Sequence, residues 1–183
     1  MSYINVIKRE AERWGWGILL ICKDEFKIFL DTLIKRFGKI KLLDVGAWKC
    51  YLYSWLKQNG YDVNYVGIDI IEPQGRIQEA EFYIMSPNAL LFNSASFHAV
   101  VMIETLEHIL DYVGALRECY RVLVRQGGIF IQSTICTDPC AIKDETHLHV
   151  LHPITLRRLL ARIGFREIQS TFNGNFAVWG FKV

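Results

Sequence analysis

The sequence lacks a long hydrophobic run, and this absence excludes a membrane-spanning helix. The most apolar early segment, Trp14 to Cys22, is about half as long as a bilayer-spanning helix and has charged residues on both sides. It also fails as a signal peptide, because Glu10 and Glu12 occupy the region that should be positive and no small-x-small cleavage site follows. We therefore expect a cytoplasmic protein without a membrane span.

The net charge of the chain is small, and its number of cysteines is odd. Lys+Arg number 21 against 19 Asp+Glu, a formal charge of +2, and no basic run marks a surface for duplex nucleic acid. The 5 cysteines are an odd number scattered through apolar segments, which is typical of reduced, buried thiols and not of a disulfide framework. We expect no nucleic-acid partner and no disulfide bonds.

Proline is rare, with 4 in 183 residues, and no Pro/Gly/Ser-rich linker or repeat divides the chain. A hydrophobic content of 51% against 22% charged residues is enough to build a core. These observations predict a single domain over residues 1–183. Within it, residues 1–38 have helical spacing that ends at Gly38, and they are predicted to form an N-terminal helical cap.

After Ile40 the pattern changes to short apolar runs that alternate with helices. The strand-like runs are KLLDV, NYVGIDI, EFYIM, FHAVVMI, GGIFIQST, FREIQSTF and NFAVWGFKV. Alternation of this kind predicts an α/β fold, with a parallel sheet of five strands and a terminal hairpin joined at Asn173-Gly174.

Two helices in the second half of the chain have clear boundary signals. One runs from Asp111 to about Arg125, and we expect Gly127 to end it in a left-handed conformation. The other begins with Pro153 in its first turn and ends at Gly164.

Acidic residues stand at the ends of the first two predicted strands. Asp44 and Gly46 precede an immediate turn into a helix, a geometry that presents free backbone N–H groups at the carboxyl edge of a sheet. Asp69 ends the second strand, where a carboxylate can accept hydrogen bonds from both hydroxyls of a ribose. This pair predicts a site for a cofactor that contains a nucleoside.

Several segments, taken together, resemble the class I S-adenosylmethionine-dependent methyltransferases, particularly their small-molecule branch of the ubiquinone-biosynthesis type. The matching segments are LDVGAWKC for the glycine loop, VGIDI for the ribose strand, SFHAVVMIETLEHI for the fourth strand with Glu-x-Leu-Glu-His, LRECYRVLVRQGGIFIQST and THLHVLHPITLRRLLARIGF. The resemblance implies a Rossmann-like, doubly wound seven-stranded sheet of order 3-2-1-4-5-7-6, with helices on both faces and one antiparallel strand. It also implies S-adenosylmethionine as the cofactor and methyl transfer to a small-molecule or lipid-like acceptor.

The resemblance assigns the cofactor contacts residue by residue. It implies that Asp44 and Gly46 frame the methionine end and that Asp69 holds the ribose. The remaining predicted contacts are Ala47 and Trp48 in the loop, Ile70 on the adenine, Ser86 at the adenine amino group, Pro87 beside it, and Ile103 with Glu104 near the sulfonium.

The loop departs from the family pattern, because Trp48 and Cys50 stand where the second and third glycines are usual. This departure leaves a second hypothesis open, a binding or scaffold protein that keeps the fold but has lost turnover. A dinucleotide site is a weaker alternative, because GAWKCY supplies only the first glycine of Gly-x-Gly-x-x-Gly.

Histidines are the candidates for a general base, namely His108, His147 and His149, because imidazole titrates near neutral pH. A zinc site built from Cys136, Cys140 and the histidines at 147, 149 and 152 is an alternative, but its spacing is not that of a standard finger. We predict no metal. The apolar segment that contains Trp14 and Trp16 is a candidate lid over the cofactor, or a surface for a protein partner or for self-association.

Overall fold

The computed structural model describes residues 20–134, 136–173 and 175–183, so Trp14 and Trp16 lie outside the described residues. The helices are α1 (Lys23–Phe37), α2 (Tyr51–Gln58), α3 (Tyr112–Val122), α4 (Cys140–Lys143) and α5 (Pro153–Ile163), with a short 3-10 helix at Leu106–His108. The strands are β1 (Lys41–Val45), β2 (Asn64–Asp69), β3 (Glu81–Ile84), β4 (Phe97–Ile103), β5 (Leu123–Ser133), β6 (Phe165–Asn173) and β7 (Asn175–Lys182).

The strands form one seven-stranded sheet of order β3-β2-β1-β4-β5-β7-β6, which confirms the predicted fold. Strands β1 to β5 are parallel to one another, while β7 is antiparallel to both β5 and β6. The predicted hairpin is confirmed, since Asn173 is paired with Asn175. The chain adds β2 and β3 on one side of β1 and then crosses back from β3 to place β4 on the other side, and such a switch point opens a crevice at the carboxyl ends of the strands.

Helices cover both faces of the sheet, which explains why its central strands are continuously apolar. Leu42 of β1 belongs to the hydrophobic cluster that contains the buried faces of α1 and α2. Its neighbour Leu43 points to the opposite cluster, which contains the buried faces of α3 and α5. Successive strand residues therefore fill two cores.

The structure corrects one predicted helix end. α3 ends at Val122 and β5 begins directly at Leu123, so the helix is shorter than the predicted range to about Arg125. The left-handed residue is Gln126, with φ of 64°, which lies within β5 where its pairing with β4 is irregular, and not Gly127. Gly127 is needed for a different reason, because an added Cβ would lie 2.8 Å from the backbone oxygen of His98 on β4.

Other boundary predictions are confirmed. Gly38, at φ of 72°, follows the last residue of α1, and Gly164 caps α5. Pro153 opens α5, and the His152 side chain accepts a hydrogen bond from the backbone N–H of Ile154. In the part of the chain that is described, no helix has both the length and the apolar character needed to cross a membrane.

Candidate cofactor site

A cavity lies at the carboxyl ends of β1, β2 and β4, where the crevice is expected. Most of the predicted cofactor contacts line it, namely Asp44, Gly46, Ala47, Trp48, Asp69, Ile70, Pro87, Ile103 and Glu104. The lining also includes residues that the sequence analysis did not assign, among them Tyr51, Leu52, Met85, Thr105 and Ile109. They lie in the first turn of α2 and in the segments after β3 and β4, so only the tertiary structure selects them.

The loop after β1 keeps the backbone path that glycines usually allow, although it has only one glycine. Gly46 has φ of 78°, and the two residues at glycine positions, Trp48 and Cys50, have φ of 44° and 62°. A left-handed conformation costs about 1–2 kcal/mol for a residue with a side chain. The substitutions therefore add strain but do not change the course of the loop.

Close packing explains why position 46 remains glycine. An added Cβ would lie 2.9 Å from the Cβ of Thr105 and in still closer contact with the other Thr105 side-chain atoms. Gly46 also donates its backbone N–H to the carbonyl oxygen of Ile68 at 2.9 Å. The loop is thereby held between β2 and the segment after β4.

Asp69 organises the loop with both carboxylate oxygens. Oδ2 accepts the N–H of Trp48 at 3.0 Å, and Oδ1 accepts the N–H of Ile70 at 2.7 Å and that of Ile71 at 3.4 Å. Burial raises the pKa of Asp69, while these backbone hydrogen bonds oppose the rise. Each carboxylate oxygen has two lone pairs, so the group retains capacity for a ligand hydroxyl.

Asp44 lies deeper, at the end of β1, and is 4% exposed. Its Oδ2 accepts a hydrogen bond from the hydroxyl of Tyr65 at 2.6 Å. Burial raises the pKa of Asp44 to about 7, although the bond from Tyr65 favours the ionised form. The carboxyl group therefore titrates near neutral pH.

Glu104 follows β4 in a left-handed conformation, with φ of 47°. Its carboxylate accepts hydrogen bonds from Nε2 of Gln132 at 2.8 Å, Nδ2 of Asn175 at 2.6 Å and Oγ1 of Thr134 at 2.9 Å. Burial, together with the charge of Glu107, raises the pKa of Glu104 to about 7. Strands β5 and β7 thus fix this side chain at the cavity from three directions.

Of the candidate bases, His108 lines the cavity, whereas His147 and His149 are not among the lining residues. The ring of His147 packs on that of His108 with centroids 4.9 Å apart. Nε2 of His149 lies 3.1 Å from the carbonyl oxygen of Ile109, so this ring is directed at the backbone after the 3-10 helix.

Ser86 is also not among the lining residues. It is exposed, and its Oγ accepts a hydrogen bond from the backbone N–H of Asn88 at 3.3 Å. The predicted contact of Ser86 with the adenine amino group is therefore not preformed. Its neighbour Pro87 does line the cavity and is buried.

The charges of the cavity are of one sign. The described lining has three carboxyl groups, from Asp44, Asp69 and Glu104, and it has neither lysine nor arginine. Such a lining suits a ligand with positive charge and disfavours the negative charge of a pyrophosphate, which basic side chains often offset. The dinucleotide alternative therefore loses support.

Comparison with known proteins also points to a methyltransferase. Residues 43–131 match a family model described as a methyltransferase domain. Among curated proteins, no sequence matches the chain.

Solved structures show the same fold. A SAM-dependent methyltransferase from Archaeoglobus fulgidus has a TM-score of 0.71 and 17% identity, covering 99% of this chain and 95% of its own. A possible histamine N-methyltransferase from Thermotoga maritima has a TM-score of 0.70 and 16% identity, covering 100% of both chains. A chain from the complex between the Haloferax volcanii Trm112 methyltransferase activator and a candidate methyltransferase has a TM-score of 0.69 and 12% identity, covering 98% of this chain and 95% of its own.

The resemblance seen in the sequence is confirmed in its general form. The chain has a methyltransferase domain match and the class I S-adenosylmethionine-dependent methyltransferase fold. At identities below 20% the solved structures establish the fold, and the ubiquinone-type branch stays a prediction.

Proposed function

We propose that the chain binds S-adenosylmethionine in this cavity and transfers its methyl group to a small-molecule acceptor. The observation that carries the proposal is the lining itself: among the described residues, three carboxyl groups and neither lysine nor arginine surround an otherwise largely apolar cavity. S-adenosylmethionine has a sulfonium and an amino group, so its charge complements this lining. The methyltransferase domain match over residues 43–131 supports the same ligand.

The residues present fit the cofactor. The ends of β1 and β4 would hold the methionine portion through Asp44, Gly46 and Glu104. The end of β2 would hold the nucleoside, with Asp69 at the ribose and Ile70 against the base. Ile70 is 39% exposed and lines the cavity, so its side chain is accessible to a base there.

The altered glycine loop is compatible with binding. The main chain keeps its left-handed residues, and Trp48 is half-buried in the lining with its N–H bonded to Asp69. These observations favour a cofactor-binding protein over a scaffold whose loop has collapsed.

Catalysis by this chain would consist mainly of positioning. When bound, S-adenosylmethionine supplies an electrophilic methyl group on a positively charged sulfur. Glu104 is immobilised by three hydrogen bonds and can hold a donor or a cation at one place in the cavity. Ile103, Ile109 and other apolar lining residues exclude water, and alignment at about 3–3.5 Å is then sufficient for a reactive donor.

Calorimetric titration of the purified chain with S-adenosylmethionine and S-adenosylhomocysteine tests the proposal. We expect a dissociation constant in the micromolar range, which corresponds to a binding free energy of about −8 kcal/mol. Asp69→Ala should weaken binding by about 1–3 kcal/mol, since buried hydroxyls lose their acceptor. Because Asp69 also holds the loop, Ile70→Ser is the cleaner variant, and it should weaken binding through lost contact area.

The matched control is Ile28→Ser, which changes an isoleucine that is 56% exposed on α1 and does not line the cavity. It should bind as the unaltered chain does. If the folded, unaltered chain binds neither ligand, the enzyme proposal fails and the scaffold hypothesis is favoured. If Ile28→Ser and Ile70→Ser weaken binding equally, the ligand binds elsewhere.

A further inference from the structure

A group of metal-binding side chains lies beside the cavity. Glu107, His108 and His147 each place one ligand atom so that all three atoms lie within 4.8 Å of one another. Small side-chain rotations would bring a carboxylate oxygen and two imidazole nitrogens to the distance of about 2.0–2.2 Å that Zn²⁺ requires. The spatial cluster differs from the cysteine-containing set considered from the sequence, and it shares only His147 with that set.

The Glu107 carboxyl is the strongest single sign of a missing ligand. It is 1% exposed, and its Oε1 accepts a hydrogen bond from Oγ of Ser133 at 2.7 Å. Its other oxygen, Oε2, is fully buried and has no hydrogen-bond partner among the described residues. A buried carboxylate oxygen without a partner is costly, and the Glu104 carboxyl lies beside it, so either a proton shared by the two carboxyl groups or a bound cation offsets the cost.

The two histidines are oriented as metal ligands usually are. Nδ1 of His108 lies 2.9 Å from the carbonyl oxygen of Thr146, and Nδ1 of His147 lies 3.2 Å from that of Ala141. A carbonyl oxygen can only accept, so each ring donates from Nδ1, and in the neutral ring Nε2 is then the nitrogen that can ligate a metal. Imidazole ligands in metal sites commonly donate their other N–H to a backbone carbonyl in this way.

Additional negative charge surrounds the cluster. Oδ2 of Asp144 lies 3.9 Å from Nε2 of His147, which is too long for a hydrogen bond. The carboxyl of Glu104 lies near enough to Glu107 for the charge of one to influence the other. A cation at the cluster would offset the repulsion between these groups.

From this arrangement we infer that Glu107, His108 and His147 form a binding site for a divalent first-row transition-metal ion. The mixed oxygen and nitrogen donor set suits Zn²⁺, Mn²⁺, Fe²⁺ or Co²⁺ better than Mg²⁺ or Ca²⁺, which prefer oxygen ligands. Three protein ligands leave coordination positions open, as in catalytic metal sites. The inference stands apart from cofactor binding, because it concerns residues whose arrangement does not depend on that ligand.

His108 belongs both to this cluster and to the cavity lining, so an ion bound here would border the cavity. A Lewis acid in that position can bind and polarise an oxygen of a substrate. This consequence, unlike the site itself, rests on the proposed function. In such a site His108 would act as a metal ligand and not as a general base.

The test is metal binding by the chelator-treated, full-length chain without any cofactor. Co²⁺ is titrated with detection of its visible absorption bands, and Zn²⁺ is titrated by calorimetry. We expect one ion per chain, and we expect Glu107→Gln and His147→Ala each to weaken binding at least about 10-fold. Bound Zn²⁺ should also raise the unfolding temperature of the unaltered chain more than that of either variant.

His149→Ala is the matched control, since it removes a histidine two positions away whose ring contacts the backbone and Tyr112. It should bind metal as the unaltered chain does. Cys136→Ser tests the alternative cysteine set, and it too should leave binding unchanged. His147 is half-buried, so its variant is available if Glu107→Gln does not fold.

Three results would overturn the inference. The first is no saturable binding by the folded chain. The second is equal affinity in the unaltered chain, Glu107→Gln and His147→Ala. The third is a near-ultraviolet thiolate-to-cobalt band that disappears in Cys136→Ser, which would assign the metal to cysteine.

Discussion

The backbone N–H of Trp48 donates a hydrogen bond to Oδ2 of Asp69 at 3.0 Å, and this contact joins the loop after β1 to the end of β2. Trp48 adopts a positive φ of 44° at a position where a glycine is usual. The bond from Asp69 offsets part of the strain of that conformation. The same carboxylate is predicted to hold the cofactor ribose, so loop geometry and ligand binding depend on one side chain.

Gly46 should tolerate no side chain. Gly46→Ala adds a Cβ against Thr105 at φ of 78°, whereas Gly38→Ala has nearly the same φ, 72°, with no atom within 4 Å of the added Cβ. We expect Gly38→Ala to lower the free energy of unfolding by about 1 kcal/mol and Gly46→Ala by a further 1–3 kcal/mol, roughly. Urea denaturation measures both.

A second substitution identifies why Gly46→Ala should lower the free energy of unfolding more than Gly38→Ala does. If Thr105 is the obstacle, Thr105→Ala in the Gly46→Ala background should recover part of the lost stability, because the closest side-chain atoms are removed. Equal costs for the two glycine variants would show that backbone strain alone explains position 46.

Trp48 should report ligand binding by its fluorescence. The indole lines the cavity, whereas Trp179 is 5% exposed on β7 and is not a lining residue. We expect S-adenosylhomocysteine to change the tryptophan emission of the unaltered chain and of Trp179→Phe. The change should largely disappear in Trp48→Phe. If Trp48→Phe keeps the full change, the ligand does not contact the loop.

The buried Asp44 should make stability depend on pH. Its pKa rises from an ordinary value of 3.8 to about 7 on folding, which corresponds to roughly 4 kcal/mol. Because the folded-state pKa is the higher one, this contribution is fully present below about pH 4 and is lost as the pH rises through about 7.

Urea denaturation of the unaltered chain and Asp44→Asn at pH 5 and pH 8 measures this contribution. We expect the unaltered chain to lose more stability than Asp44→Asn between the two pH values, since the amide does not ionise. Asp62→Asn serves as the control, because Asp62 is an exposed partner of Lys39. Parallel pH dependences for the unaltered chain and Asp44→Asn would contradict the shifted pKa.

Arg121 should be a stabilising residue that lysine does not replace. Its guanidinium binds both carboxylate oxygens of Glu118 at 2.8 Å and also donates to the carbonyl oxygens of Leu90 and Phe92 at 2.8 and 2.9 Å. A lysine ammonium cannot reproduce this planar set of donors. We expect Arg121→Lys to lower the free energy of unfolding by about 1–3 kcal/mol.

The control for Arg121 lies on the same helix. Arg117 is exposed, and Arg117→Lys should change stability by less than about 0.5 kcal/mol. Thermal denaturation of the two variants compares them directly. Similar effects would mean that the contacts of Arg121 with the loop before β4 contribute little.

The fold class and most helix ends were accessible from the sequence because they depend on local patterns, whereas the strand order came from the resemblance to a known family. Apolar runs between helices predict a parallel sheet, and Gly38, Pro153 and Gly164 mark helix ends by their own backbone preferences. The left-handed residue at the irregularity in the β4–β5 pairing was not accessible in this way. Gln126 has no intrinsic preference for that conformation, so the sheet register imposes it.

In the candidate site, too, some residues were predictable from the sequence and others were not. Asp44 and Asp69 were predicted because the ends of parallel strands meet at one edge of the sheet, a relationship that sequence order alone specifies. The metal-binding cluster was not, because Glu107 and His147 are 40 positions apart and meet only where the 3-10 helix packs against the segment before α5. The sequence determined the fold and the edge of the sheet at which a ligand binds, whereas the tertiary structure decided which distant side chains share the interior beside that edge.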